Sequence, residues 1–275
     1  MIDSPVNDPR HNCQEIARRL ARVDFAWDTT RALELALFRT FASPRIGGLL
    51  HRTGEFEARP QKRYDDTDLL ISEIIEEGFD SPRGSRAIAR MNALHGRFRI
   101  ANGEFLYVLS TFVFEPIRWN ERYGWRRMTD WEKLAWFWFW REVGERMRIE
   151  DIPLTYSALE RYNSDYEATH FRYSEANQRV ALATRELFAS WFPGLLRPLV
   201  RRSIHALLDP PLLTAFNLQP APRWLVWLVG ATLRARGRLL RWLPKRQRPQ
   251  RRTRIPRADY RGGYRIESLG PPPFD

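Results

Sequence analysis

One histidine stands out among the residues able to do chemistry. The chain has five, His11, His51, His95, His170 and His205, and a single cysteine, Cys13. His95 falls in a run that opens on Ser81-Pro82, an N-cap followed by a first-turn proline, and that predicts a helix through about Ala101. At helical spacing its face carries Ile88, Met91, Asn92, Phe98, Arg99 and Asn102, half apolar and half polar. An imidazole on such a face fits the axial position of a haem iron, which needs a nitrogen donor and apolar walls for the macrocycle. Arg99, one turn on, then sits where a charge-assisted pair with a propionate is within reach. A hydrogen-bonded core histidine is the other reading of the same spacing. Cys13 forms no intrachain disulfide, and no Cys/His spacing suggests a zinc site.

A site of this kind needs apolar walls, and the composition supplies them. Of 275 residues, 43% are hydrophobic and 13% aromatic, with 16 Phe, 11 Trp and 9 Tyr, which excludes disorder throughout and calls for a large buried volume. The runs Phe105–Phe114 and Trp131–Trp140 provide bulky walls for either a packed core or a cavity, and periodicity does not separate the two. No stretch approaches the ~20 uncharged apolar residues of a membrane-spanning helix, and the N-terminus lacks the basic-then-apolar order of a signal peptide. A cytoplasmic protein is expected.

The net charge of +12 is unevenly placed. Residues 197–265 hold 17 Lys and Arg against Asp209 and Asp259, a surplus of 15, while the remaining 28 bases and 31 acids leave −3. Between Pro222 and Pro244 a helix is predicted in which Arg223, Arg234, Arg238 and Arg241 fall within about 60° of one another, with Leu225, Leu228, Val229, Leu233, Leu239, Leu240, Trp242 and Leu243 elsewhere. Arg236 and Trp227 break the pattern. One reading is an interfacial helix beside a polybasic segment on the inner face of an anionic membrane. The other is an apolar face closing over the core, with a solvated basic tail. Nucleic acid is not expected, because the aromatics of the body do not interleave with the basic residues. After Pro256 the Gly- and Pro-rich chain is predicted to be loose.

The remaining elements read as helices, so the class is all-α. Thr129-Asp130-Trp131-Glu132 forms a capping box opening a helix to about Met147. Asp28 is placed to cap a helix ended by Ser43-Pro44, and Asp65 or Asp66 to cap one closed by Gly78. Further helices are predicted over about 14–23, 103–118, 155–172, 174–191 and 195–208. The organisation expected is a lead-in over 1–19, a helical domain over 20–215, the basic helix over 216–244 and a basic tail over 245–275.

Specific strings then align in order. Arg63-Tyr64-Asp65-Asp66-Thr67, Gly78-Phe79-Asp80-Ser81 and Asn92-Ala93-Leu94-His95-Gly96-Arg97-Phe98-Arg99-Ile100-Ala101-Asn102 are followed by Met128-Thr129-Asp130-Trp131-Glu132, Trp138–Gly144, Ile149–Pro153 and Tyr166-Glu167. Over about residues 20–210 the chain resembles the MpaB-type and rubber oxygenase (latex clearing protein) catalytic domain family. The resemblance implies one haem b in a helical domain, His95 as its proximal ligand and O2 as co-substrate. It also implies an enzyme that oxidises a hydrophobic molecule, with isoprenoids among the candidates, at a C=C bond or by a related oxidation. Arg63 and Thr67 match an Arg and a Thr four apart near the haem in the rubber oxygenases. Arg63 is then a donor near oxygen or a propionate clamp, Thr67 bonds iron-bound oxygen, orients Arg63 or bonds its own backbone, Arg99 is a further haem contact, and Asn102 either approaches the haem or caps the helix. Two departures limit the match. Asp66 stands where rubber oxygenases carry a lysine able to cap the iron, and the secretion signal expected of a polymer-degrading enzyme is not seen. The competing reading is a non-catalytic haem- or lipid-binding module at a membrane surface, and neither names an electron donor. By sequence alone Arg97 points to solvent, Arg141 and Glu142 pair with other helices, and Tyr166-Glu167 is structural.

Overall fold

The computed structural model describes residues 8–271. Their helices are α1 (Cys13–Arg19), continued by a π-helical turn (Leu20–Asp24), α2 (Ala26–Phe41), α3 (Pro44–Thr53), α4 (Glu55–Ala58), α5 (Pro60–Glu77), α6 (Pro82–His95) and α7 (Asn102–Tyr123). They continue as α8 (Asp130–Arg146), α9 (Tyr156–His170), α10 (Glu175–Ser190), α11 (Arg197–Leu207), α12 (Pro210–Ala215) and α13 (Arg223–Trp242). No strand occurs among the described residues, as the all-α reading requires.

Punctuation legible in the chain sets several of these ends. Thr129 Oγ1 accepts from Glu132 N at 3.2 Å and Glu132 Oε2 accepts from Thr129 N at 2.9 Å, the reciprocal box that starts α8. Ser81 Oγ accepts from Gly84 N at 2.9 Å to start α6. Two starts differ from expectation. Pro60 in the first turn opens α5 ahead of Asp65 and Asp66, which are buried inside the helix. Asp28 sits in the first turn of α2, where its carboxylate takes the Trp119 indole N–H at 2.9 Å and Arg236 at 2.9 Å.

α2 lies along α7, α5 against α6, and α1 against α8, enclosing one apolar cluster around Trp136, Phe137, Phe139 and Trp140. α10, α11 and α12 enclose a second around Phe38, Phe41, Phe188 and Phe216. The aromatic run of α8 is therefore mainly core, although Trp140 also faces a cavity. The run in α7 divides, with Phe105, Val108, Leu109 and Phe112 on the cavity wall and Tyr107, Val113 and Phe114 packed away from solvent.

The start of α6 crosses the Gly78 turn so closely that a Cβ on Gly84 would stand 1.9 Å from the Gly78 carbonyl oxygen. Backbone cannot yield as a side-chain tip can, so Gly84→Ala must part α5 from α6. The expected loss is about 1–3 kcal/mol, read as a lowered denaturant midpoint at constant slope.

The tail departs most from its sequence reading. From Arg252 onward, and beyond Pro256 as well, the chain is held against α5 and α6. Ile266 and Leu269 are buried, Arg252 bonds Asp68 at 2.8 Å, and Arg257 bonds Asp65 at 3.1 Å and also Asp68. Tyr264 donates to Glu73 at 2.5 Å, Thr253 to Glu76 at 2.7 Å, and Arg90 to the Leu269 carbonyl at 2.7 Å. Gly and Pro gave the segment its loose look, but it is fixed by acids of α5, of which Glu73 and Glu76 also bond Arg83 at 2.8 Å and Arg22 at 3.0 Å.

Candidate functional site

A cavity of about 600 Å³ opens between the two apolar clusters, walled by α2, α3, α5, α6, α7, residues 98–101 and the Gly270-Pro271 end of the tail. Its surface is mostly apolar, with Leu50, Ile71, Leu94, Phe98, Phe105 and Phe112 prominent. Four of the five residues singled out in the sequence, Arg63, Thr67, His95 and Arg99, lie on this wall.

His95 occupies the last position of α6 and not its middle, because the helix stops before Gly96. Phe98, Arg99, Ile100 and Ala101 leave the helical path and turn into the wall, and Glu104 catches the Ala101 N–H at 2.9 Å to begin α7. The His95 ring meets Phe105 edge-on at 5.3 Å. Its Nδ1 is buried with no hydrogen-bond partner among the described residues. Burial first, and the Arg63 charge second, push the imidazole down to about 4, so it is neutral near pH 7. Neutral imidazole is the form that binds a metal.

Arg63 and Thr67 sit one turn apart on α5. The Arg63 guanidinium donates to Thr67 Oγ1 and lies 5.0 Å over the Phe56 ring. Thr67 donates in turn to the Arg63 carbonyl at 3.2 Å, so it meets Arg63 and bonds its own backbone at once. Burial lowers the Arg63 pKa, and Asp66 and Glu55 oppose that shift. Arg99 is exposed at the rim.

Asn102 is placed differently. Its Nδ2 donates to the Glu150 carbonyl and its Oδ1 accepts the Glu150 N–H, both at 2.8 Å, so its amide fixes the start of α7 to the 149–151 turn and does not reach the cavity. Arg97 donates to the Pro271 carbonyl at 3.3 Å and is not merely solvated. Arg141 and Glu142 pair within α8, with Glu145 and with Arg146 at 2.8 Å, and not with another helix, apart from a 3.8 Å approach of Arg10 to Glu142. Tyr166 stacks between Tyr107 and His170 at 4.1 Å from each, and Glu167 joins a buried ion-pair cluster, both structural as read. His51 pairs with Glu57, and His205 lies between Arg185 and the Gln219 carbonyl.

Sequence reasoning missed the strap that bounds the cavity. Lys62 bonds Asp66 at 2.9 Å, Tyr260 at 3.1 Å and the Gly270 carbonyl at 3.1 Å, while Tyr260 donates to Asp66. Asp66 therefore ties α5 to the tail. The available signal was charge: the acids of α5 and the basic tail are complementary, although they lie far apart in the chain.

Among the described residues no group of three or more His, Cys, Asp or Glu could hold a bare metal ion. A lone unspent imidazole beside a large apolar cavity suits instead a metal that brings its own equatorial ligands, and the residues present fit a haem on that ground.

Comparison with known proteins places residues 30–242 within the family described as "ER-bound oxygenase mpaB/B'/Rubber oxygenase, catalytic domain". The chain is 28% identical over 248 residues to ER-bound oxygenase mpaB' of Penicillium brevicompactum, which covers 83% of this chain and 58% of that protein. It is 34% identical over 141 residues to ER-bound oxygenase mpaB of the same organism, covering 49% of this chain and 36% of that one. With ER-bound oxygenase mpaB of Penicillium roqueforti (strain FM164) the identity is 33% over 142 residues, covering 49% of this chain and 47% of the relative. The chain thus spans between about a third and three fifths of the curated relatives it matches.

Proposed function

Because the chain belongs to the ER-bound oxygenase mpaB/B' and rubber oxygenase catalytic-domain family, we propose that it is a haem b-dependent oxygenase that uses O2 to oxidise a hydrophobic substrate held in the cavity. Oxidative C=C cleavage, or a related oxidation of an isoprenoid-like alkene, is the reaction class. The observation that carries this reading is His95: a neutral imidazole with a buried, unspent nitrogen on the wall of a 600 Å³ apolar cavity.

His95 would hold the haem through its imidazole nitrogen. When bound, the haem supplies the dioxygen chemistry that no side chain can provide. The residues around it position and exclude. Arg63, half-buried and oriented by Thr67, presents N–H donors and a positive charge inside a mostly apolar space, where such a dipole counts for more than in water. Arg99 at the rim is placed to meet a carboxylate that reaches solvent. Phe98, Phe105, Phe112 and Trp140 keep water out and offer flat apolar contact to an unsaturated chain.

Protein expressed with adequate haem supply is expected to carry about one b-type haem per chain, as a cavity lined by an unspent histidine allows, and to consume O2 only when an unsaturated apolar compound is added. The assay is a pyridine haemochrome titration followed by oxygen-electrode traces over a panel of isoprenoids, with carbonyl products detected by hydrazine derivatisation. Stoichiometric haem without substrate-dependent O2 uptake would favour the non-catalytic haem module. A colourless protein that retains lipid would favour the lipid-binding one.

A further inference from the structure

α13 is apolar on two sides, and the structure settles which side packs. Leu225, Gly230 and Gly237 are buried, and a Cβ on Gly237 would meet the Tyr123 carbonyl oxygen at 2.6 Å, so α13 lies directly on the end of α7. Arg236 fixes the rotation of the helix, with its guanidinium on Asp28 at 2.9 Å and 3.9 Å over the Trp27 ring. The face turned away from the body carries Trp224, Trp227 and Trp242, which are 62%, 68% and 87% exposed, together with Leu228 and Leu239. At 100° per residue these five fall within an arc of about 120°. Arg223, Arg234 and Arg241 line one border of the arc and Arg238 lies inside it. The two readings of the apolar residues thus divide: Leu225 closes on the body, with Val229, Leu233 and Leu240 half-buried beside it, while the tryptophans point outward.

Beside it, α11 packs on α13, and the turn leading into α11 together with the first turn of α11 exposes Phe192, Leu195, Leu196 and Leu199 near Arg197 and Arg202. Exposed apolar area of this kind marks a surface that something else covers. The charge identifies what. Residues 210–258 contain no Asp or Glu, so a second copy packed on the same face would oppose one arginine border with another. The occupant must be apolar and anionic together. Among the described residues no helix is long and apolar enough to cross a membrane, so insertion across a bilayer is not what the face serves.

We propose that the outward face of α13 docks flat on an anionic lipid surface, with its tryptophans at headgroup depth and its arginines on the phosphates. Trp suits this depth because its ring is apolar while its N–H stays hydrated. The inference is independent of the haem reading, since none of these side chains lines the cavity.

The test uses the full chain and vesicles of phosphatidylcholine, alone or mixed with phosphatidylserine, in a flotation assay. Binding to the mixed vesicles, weakened by salt, is expected. Arg234→Gln with Arg238→Gln should weaken it roughly thirtyfold, from about 1 kcal/mol per cation near the surface. Trp224→Gln, Trp227→Gln and Trp242→Gln together should reduce it by more than about tenfold and abolish quenching of the protein fluorescence by brominated lipid. Because these side chains project outward, the thermal midpoint and the haem content should stay unchanged. Equal binding to neutral vesicles, or undiminished binding by the tryptophan variant, would overturn the proposal. So would a dimer in light scattering that the tryptophan variant converts to monomer, since the occupant would then be a second copy.

Discussion

Substituting His95 by alanine is expected to give a folded, colourless protein, with haem content reduced to roughly a tenth or less of wild type because the cavity would then offer no imidazole to hold a haem. Oxygen uptake should fall with it. The fold should survive for a specific reason. His95 stands at the end of α6, and its Nδ1 is already buried without a partner, so removing the ring breaks no hydrogen bond at that atom and relieves a desolvated polar group. The circular dichroism spectrum and thermal midpoint of the haem-free proteins should therefore match closely. Adding imidazole to the variant gives a second readout, because a free ligand can enter the space the side chain leaves and restore a Soret band. Arg63→Ala should behave differently, retaining haem while losing turnover, since Arg63 acts on the cavity and not as the ligand. An unchanged spectrum in His95→Ala would remove His95 from the site. An equal loss of haem in both variants would assign Arg63 to holding the macrocycle.

What the sequence disclosed follows the range of the interactions concerned. Local signals were legible: Ser81 and Thr129 cap amides three residues on, Gly78 ends α5 with its N–H on the Ile74 carbonyl, and α9 and α10 open at the capping side chains of Thr155 and Ser174. The placing of Arg63, Thr67 and His95 on one wall rested on resemblance to a family, because nothing in their spacing brings α5 to the end of α6. Long-range pairing was invisible. Asn102 was read by its distance from His95 along an unbroken helix, but the chain turns at Gly96 and Asn102 meets Glu150 instead. The basic tail was read by its own composition, although its partners, Asp65, Asp68, Glu73 and Glu76, lie nearly two hundred residues earlier. α13 shows the same limit in another form. Periodicity sorted arginines from leucines, but only Asp28 and the Tyr123 carbonyl reveal that the tryptophan side looks outward.

The largest expected loss of stability comes from a residue that no motif pointed to. Arg39, on α2, sends Nε to Glu115 on α7 at 2.8 Å, Nη1 to Glu167 on α9 at 2.8 Å and Nη2 to Asp209, which itself caps α12. One planar guanidinium thus joins four elements through a fork that lysine cannot reproduce. Burial alone would lower its pKa, but Glu115, Glu167 and Asp209 outweigh that and hold the charge more firmly than in water. Arg39→Met leaves the packing volume nearly filled and strips three carboxylates of their shared cation. Breaking a buried pair in this way costs about 3–5 kcal/mol, here expected at neutral pH by urea denaturation. Arg39→Lys should recover part of the charge term and less of the geometry. The pH dependence separates electrostatics from packing. Burial already raises the Glu167 pKa, and without Arg39 it rises further. A carboxyl whose folded pKa lies above its unfolded value favours the fold below the unfolded value and loses that contribution as pH rises through the folded one. The deficit of Arg39→Met should therefore shrink as pH is lowered from 7 toward the ordinary carboxylate range and widen again on return. Chemical denaturation of wild type and variant across that interval checks it. A deficit constant with pH would assign the loss to packing and not to the stranded carboxylates.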